Sequence, residues 1–420
     1  MSEITKFTNL RNLEGEELSI TVENGYFSNS ANAVQNIEDC TGMTLIPGLV
    51  DMHTHLREPG FEDAETILTG SMAAAAGGFT AVSAMPNTDP IADTAGVVEQ
   101  IFRLGQVHGI CDVFPIGAIT VGSKGEQLAE IRAMNASAAG TRIFSDDGNC
   151  LSSAILMRRA LEYVKSFDGV IAQHAQDPEL TVDSQVNEGA ISSRLGLKGW
   201  PAVAEEAIIA RDVLLADHVK SRLHICHVST AGSVEIIRWA KARGIQVTAE
   251  VTPHHLLLTE DLIESYDPVF KVNPPLRTKR DVEALRAALA DGTIDVIATD
   301  HAPHPIERKE CEWANAAFGM LGLESALSVS FKAMVDTKLI SPKDLIYRMS
   351  SRPAEIAGYK DHGAIANGKP ANFALVNLAK NWVAKPRMSK SGNDPYRGMT
   401  LPVVVEATYL RGRKVYSHHE

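Results

Sequence analysis

Eight short runs of strand character recur between Thr44 and Pro303, and stretches of helix or loop character separate them. The runs are Thr44–His55, Phe79–Asn87, Asp112–Thr120, Thr141–Asp147, Gly169–His174, Arg222–His227, Gln246–His254 and Ile294–Pro303. Most are rich in Val, Ile and Phe, the pattern of parallel strands buried on both faces. Glu65–Ala76, Leu151–Ser166, Ala202–Asp217 and Gly232–Arg243 read as helices, with Gly77-Gly78 and Gly244 where C-terminal caps fall. Strand and helix alternating eight times predicts an α/β chain folded as a (β/α)8 barrel rather than an open sheet. The 420 residues suffice for that barrel and a smaller second unit. The ends lack the pattern. Residues 1–43 alternate weakly around Glu23-Asn24-Gly25. Asn367-Gly368-Lys369-Pro370 precedes an extended Asn372–Val376, and Leu410–Tyr416 reads as a further strand. The expectation is a small β-domain made of residues 1–47 and 364–420 beside a barrel of residues 48–363.

Nearly every run ends in residues able to do chemistry: Asp51-Met52-His53-Thr54-His55, Met85-Pro86-Asn87, Ser145-Asp146-Asp147, Gln173-His174, His227 and Thr299-Asp300-His301. Barrel enzymes build their active sites at the C-terminal strand ends, so these groups are expected on one rim. His53 and His55 are two apart, and alternate residues of a strand face the same way. A lone His-x-His pair is weak. Joined by Asp147, His174, His227 and Asp300, it supplies four imidazoles and two carboxylates, enough for two zinc ions with positions open to water. Paired catalytic metals lie about 3.5–4 Å apart, which calls for a bridging anion.

Composition narrows the alternatives. A formal charge of −12, with Lys and Arg dispersed, disfavours nucleic-acid binding. No apolar run is long enough for a membrane span, and Met1 to Asn9 lacks a signal-peptide layout, so action in the cytoplasm is expected. Cys40, Cys111, Cys150, Cys226 and Cys311 are widely spaced with no C-x-x-C pair, which argues against disulfides and thiolate zinc sites.

Several segments together resemble the dihydroorotase signature. They are His53-Thr54-His55-Leu56-Arg57-Glu58-Pro59-Gly60, Ala75-Ala76-Gly77-Gly78-Phe79-Thr80, Met85-Pro86-Asn87-Thr88, Ser145-Asp146-Asp147-Gly148, Lys271-Val272-Asn273-Pro274-Pro275-Leu276-Arg277 and Ala298-Thr299-Asp300-His301-Ala302-Pro303-His304. The resemblance runs from about Pro47 to Leu327 and continues more weakly to Tyr416. It implies that His53, His55 and Asp300 hold one zinc, that His174 and His227 hold a second, and that Asp147 bridges, with Asp146 turned away as a supporting or capping group. Many relatives bridge their metals with a carboxylated lysine on the fourth strand. This chain has no lysine between Lys124 and Lys165, and Asp147 fits an aspartate-bridged subgroup. Ala175-Gln176 stands where relatives often carry Cys-Glu, so one zinc rather than two is the alternative occupancy.

The resemblance further implies reversible cyclisation of N-carbamoyl-L-aspartate to L-dihydroorotate in pyrimidine (UMP) biosynthesis. A zinc-activated bridging hydroxide would attack the ring carbonyl, with Asp300 as general acid and base. Arg57, Asn87 and His304 would hold the substrate carboxylate, and Asn273 with the backbone of Phe318 and Gly319 would meet the ring amides. A neutral hydantoin would leave Arg57 unpaired, which disfavours a hydantoinase or allantoinase. The rival of another class is a non-catalytic scaffold for aspartate transcarbamoylase, and the complete ligand set speaks against it. Association of a catalytic chain with that transcarbamoylase, or with copies of itself, stays open. His224, His254, His255 and His301 are expected to serve packing or loop hydrogen bonds. Pro303–Glu312 and Ser389–Pro395 are the candidate closing loops.

Overall fold

The computed structural model describes residues 4–29 and 33–418; the extremities of both expected terminal segments, 1–3 and 419–420, lie outside the described residues. Each of the eight runs contains a strand: Leu49–Thr54, Phe79–Ala84, Asp112–Pro115, Ile143–Phe144, Val170–Gln173, Arg222–Ile225, Val247–Val251 and Val296–Ile297. The first three pair in parallel with their sequence neighbours, and so do the last five. Parallel bridges at Gly117–Phe144 and Thr54–His301 connect the third strand's end to the fourth, and the eighth strand's end to the first. The strands are shorter than the runs because the last residues of each run leave the ladder and carry their polar groups onto the rim.

Alternation sorts the strand side chains into two clusters. Val82, Phe144, Ile171, Leu223 and Val247 pack against helix residues such as Ile101, Met157, Leu161, Val213 and Ile237. The neighbouring positions, among them Met85, Ile116, Ile143, Val170, Cys226 and Val296, gather separately with Met52. Fully burying each large aliphatic side chain contributes about 1.5–3 kcal/mol, so these two layers dominate the stability of the parallel sheet. The flanking helices start at side-chain caps. Ser153 and Thr230 accept from the third helical residue, and Thr66, Thr278 and Ser341 form capping boxes. Loss of such a cap costs about 1 kcal/mol.

The two chain ends share one mostly antiparallel sheet. Its order is Arg413–Ser417, Thr400–Leu410, Phe373–Val383, Thr44–Pro47, Ile4–Arg11, Glu17–Glu23, Tyr26–Phe27, and Asn36–Asp39 pairs in parallel with Ile4–Arg11 ahead of its contact with Thr44. Its core is aromatic: Phe373 and Tyr409 stack at 4.5 Å, and Phe7 stands edge-on to both at 5.2 Å. The first run therefore splits between two sheets. Gly48 lies at the break, where an added Cβ would fall 2.3 Å from Thr80 Oγ1. The expected strand Leu410–Tyr416 is corrected as well. Arg411 and Gly412 take φ of 48° and 73°, a two-residue hairpin turn, so Leu410 ends one strand and Arg413 begins the next.

Candidate metal centre and active site

The pairing of the first two strands is bulged. Asp51 pairs with Val82 and Thr54 with Ala84, so three steps on one strand oppose two on the other. A bulge re-aims side chains. Here Met52 joins the cluster of Met85 and Val170, while His53 meets Glu250. Asp51 Oδ1 secures the distortion by accepting from the His53 and Thr299 amides, and burial pushes its carboxyl up to about 6. Two other site residues adopt the left-handed backbone region that side chains disfavour: His227 at φ 32° and Asp300 at φ 48°. Arg57 does the same at φ 64°. Such conformations cost about 1–3 kcal/mol each and persist only where the surroundings enforce them.

Asp147 occupies the centre. His53 Nε2 and His55 Nε2 lie 3.5 Å from its carboxylate, His174 Nδ1 at 3.1 Å and His227 Nε2 at 3.2 Å. Asp300 Oδ1 sits with the first pair, 3.0 Å from His55 Nε2 and 3.5 Å from His53 Nε2. His174 Nδ1 and His227 Nε2 approach to 2.9 Å. All six side chains are buried.

Three of the four imidazoles have one ring nitrogen tied to an acceptor. His53 Nδ1–H donates to Glu250 Oε1 at 2.5 Å, His55 Nδ1–H to Asn87 Oδ1 at 2.9 Å, and His174 Nε2–H to Gln176 Oε1 at 2.8 Å. This fixes the tautomers and turns the remaining lone pairs toward Asp147, the arrangement of metal-ligating histidines. His53 Nε2 is buried without a hydrogen-bond partner. Lone pairs and carboxylates gathered this closely repel unless a cation lies among them, so the donor set fits divalent metal ions. The electrostatics agree. Burial works against a charged His53, yet Asp147, Glu250 and Asp300 outweigh it and raise the imidazole well above its ordinary range. Burial likewise opposes ionisation of Asp300, and His53 and His55 overcome it, holding the carboxyl down to about 2. Cys226, which lies near His53 and Glu250, has its thiol pushed up by burial and stays neutral.

Beside this centre, Arg57 Nε donates to Pro303 O at 3.1 Å, and the same guanidinium lies 3.4 Å from His304 Nε2. Among the described residues Arg57 has no carboxylate partner within salt-bridge distance. Burial lowers it to about 10, so it is charged at neutral pH. Burial, with Arg57 adding to it, lowers His304 to about 3 and keeps that ring neutral. Its Nε2–H donates to Phe318 O at 2.7 Å. The Gly319 amide is engaged as well, donating to Lys271 O at 3.0 Å. Asn87 spends its carbonyl on His55 and keeps its amide donor. Asn393 ties the loops together, donating to Ala302 O and Gly319 O and accepting from the His304 amide. Pro303–Glu312 and Ser389–Pro395 both contribute to a cavity of about 620 Å³ lined by His304, Lys309, Phe270, Asn393 and Arg397.

The model for the family described as dihydro-orotase-like matches residues 42–233. The dihydroorotase of Streptomyces coelicolor is 63% identical over 387 residues, covering 91% of this chain and 90% of that protein. The dihydroorotase of Mycobacterium tuberculosis is 50% identical over 408 residues, 95% of each. The chain belongs to the dihydroorotase family. Among solved structures, an L-hydantoinase (dihydropyrimidinase) from Arthrobacter aurescens superimposes with a TM-score of 0.87 at 25% identity, covering 99% of this chain and 96% of its own. The buried set of imidazoles and carboxylates thus sits on a cyclic amidohydrolase fold of α/β type.

Two residues of this dihydroorotase-family site escape a reading of the sequence alone. Glu250 takes His53 Nδ1–H, His224 Nε2 at 3.0 Å and the His227 amide at 3.2 Å. It is the only acidic residue in the seventh run, two places from Thr248, which binds the other nitrogen of His224. A carboxylate inside a buried strand was the available signal. Gln176 backs His174 where the sequence suggested only a departure from relatives. Asp146 accepts from Ile119 and Thr120 and shapes the neighbouring loop. His301 faces Glu65, and His255 is bonded to Thr252 and to the Pro274 and Pro275 carbonyls.

Proposed function

We propose that the chain interconverts N-carbamoyl-L-aspartate and L-dihydroorotate plus water, the dihydroorotase reaction of pyrimidine biosynthesis. One observation carries the reading: a guanidinium with no carboxylate of its own stands beside a buried set of four imidazoles and two carboxylates. That pairing suits a cyclic amide bearing a carboxylate. In this reading His53, His55 and Asp300 would hold one zinc ion, His174 and His227 would hold a second, and Asp147 would serve both. When bound, the metals polarise the ring carbonyl and make water acidic enough to attack near neutral pH. Asp300, ionised and aimed at the same space, takes the proton at a carboxylate oxygen and delivers it to the departing ring nitrogen. Arg57, the Asn87 amide and the neutral His304 orient the substrate carboxylate. Asn273 and the Phe318–Gly319 backbone border the ring. The reading extends to the frame: the strands close into a (β/α)8 barrel of residues 48–363, with 1–47 and 364–420 as the β-domain. The two inter-sheet bridges and the shared terminal sheet support it. We infer action in the cytoplasm from the biosynthetic reaction.

The test follows L-dihydroorotate by its ultraviolet absorbance, with bound metal counted. Asp300→Asn is expected to lower turnover by about 10²–10⁴-fold, the range for a positioned general acid and base. A zinc-loaded wild type that opens a neutral hydantoin but not dihydroorotate sinks the substrate assignment. Arg57→Met is expected to raise KM for dihydroorotate by roughly 10–100-fold, in line with about 1.5–3 kcal/mol for a charged hydrogen bond.

A further inference from the structure

Gln176 lies two residues beyond His174, and its amide orientation follows from its neighbours. Thr181 Oγ1–H is donated to the Asp177 carbonyl at 2.8 Å, so that hydroxyl oxygen accepts from Gln176 Nε2, also at 2.8 Å. The carbonyl end of Gln176 therefore faces the metal centre. It receives His174 Nε2–H at 2.8 Å and Asn273 Nδ2–H at 3.1 Å. Each bond has a consequence. With its proton on Nε2, His174 presents the Nδ1 lone pair beside His227 Nε2 and Asp147. With Nδ2 occupied, Asn273 presents its Oδ1, an atom buried without a partner. A buried acceptor left unsatisfied is unfavourable until a donor reaches it, so this position selects a ligand N–H over a ligand carbonyl.

We propose that Gln176 is a positioning residue whose single carbonyl oxygen sets the tautomer of His174 and turns Asn273 to receive a ring N–H of the substrate. This inference rests on the functional reading above and deepens it. One atom couples retention of the second metal to recognition of an imide-type N–H. The residue is neutral, so His174 is oriented without the extra basicity that a carboxylate partner confers.

The test uses the full chain loaded with zinc. Gln176→Leu removes both bonds. It is expected to lose metal to a chelator at about 10–100-fold lower chelator concentration, the usual effect of deleting a partner of a metal-bound histidine. The loss should stop at half of the bound metal, with the KM for dihydroorotate rising more than kcat falls. Gln176→Glu keeps both acceptor bonds and is expected to restore metal retention and KM. That pattern of rescue does not arise from a general packing defect. Full metal retention and an unchanged KM in Gln176→Leu overturn the proposal, and so does failure of Gln176→Glu to restore either. If Gln176→Leu does not fold, Thr181→Val is read in its place; it leaves Gln176 present but frees its amide to flip, and the same shifts, smaller in size, are expected. A zinc-loaded wild type without turnover breaks the functional reading instead, and the chelator titrations still decide this one.

Discussion

On one side of Asp147, His53 rests on a carboxylate; on the other, His174 rests on an amide. Glu250 is buried, accepts from two histidines and the His227 backbone, and its pair with His53 is the shorter contact at 2.5 Å. Gln176 is neutral and accepts from one histidine and from Asn273. The first half of the centre is thus anchored to the parallel strands by charge, with Asp300 as an additional anion. The second half is held by a hydrogen-bond chain that continues through Thr181 to the Asp177 carbonyl. The two halves have similar imidazoles but differ in what lies behind them, a carboxylate for His53 and an amide for His174.

The sharpest way to break the comparison is Glu250→Leu. It leaves His53 and His224 without their buried acceptor, and removal of one partner of a buried ionic pair costs about 3–5 kcal/mol. Urea denaturation of the metal-free protein measures this; a loss below about 1 kcal/mol, the worth of one ordinary neutral hydrogen bond, would mean that Glu250 does not anchor the first half. Next comes the exchange of support on the other side. Gln176→Glu gives His174 a carboxylate and should tighten metal retention by up to about tenfold in a chelator titration, the lower end of such partner effects. Unchanged retention would show that partner charge is not what separates the halves.

Acid and base sharpen the same contrast in protein stripped of metal. The carboxyl of Glu250 is pulled below its ordinary 4.5: burial raises it, and His53 and His224 more than offset the rise. Its contribution is complete above pH 4.5 and is lost as pH falls through its folded value. His53 is raised above its ordinary 6.5, so its contribution is complete below pH 6.5 and is lost as pH rises through its folded value. The stability difference between wild type and Glu250→Gln should therefore peak between pH 4.5 and 6.5. A difference that is flat from pH 4 to 9 would contradict the pairing. The smallest effect is expected from His224→Gln, which trades one buried hydrogen-bonded group for another and should cost about 1 kcal/mol while leaving the metal count unchanged.

Much of this centre could be read before folding. His53, His55, Asp147, His174, His227 and Asp300 stand at the ends of apolar runs, and a parallel sheet with helical crossovers brings strand ends to one rim. The supports were harder to see. Glu250 and Gln176 face inward only because of strand register and a five-residue hydrogen-bonded loop, and neither carries a motif. The terminal sheet was legible in outline but not in its turns. The Arg411–Gly412 hairpin depends on left-handed φ values at both positions, and Arg411 is not a residue that advertises them.

What the chain determined by itself is the alternation of apolar and polar segments, hence eight parallel strands, helices between them and the kinds of ligand on the rim. Hydrophobic periodicity is local, and it survives in any short window of residues. Tertiary structure alone decided which nitrogen of each histidine faces the centre, where the first strand bulges to turn His53 inward, and that Gln176 joins His174 to Asn273. Those features depend on distances between residues far apart in the chain, such as the 197 positions separating His53 from Glu250, and no local pattern encodes them.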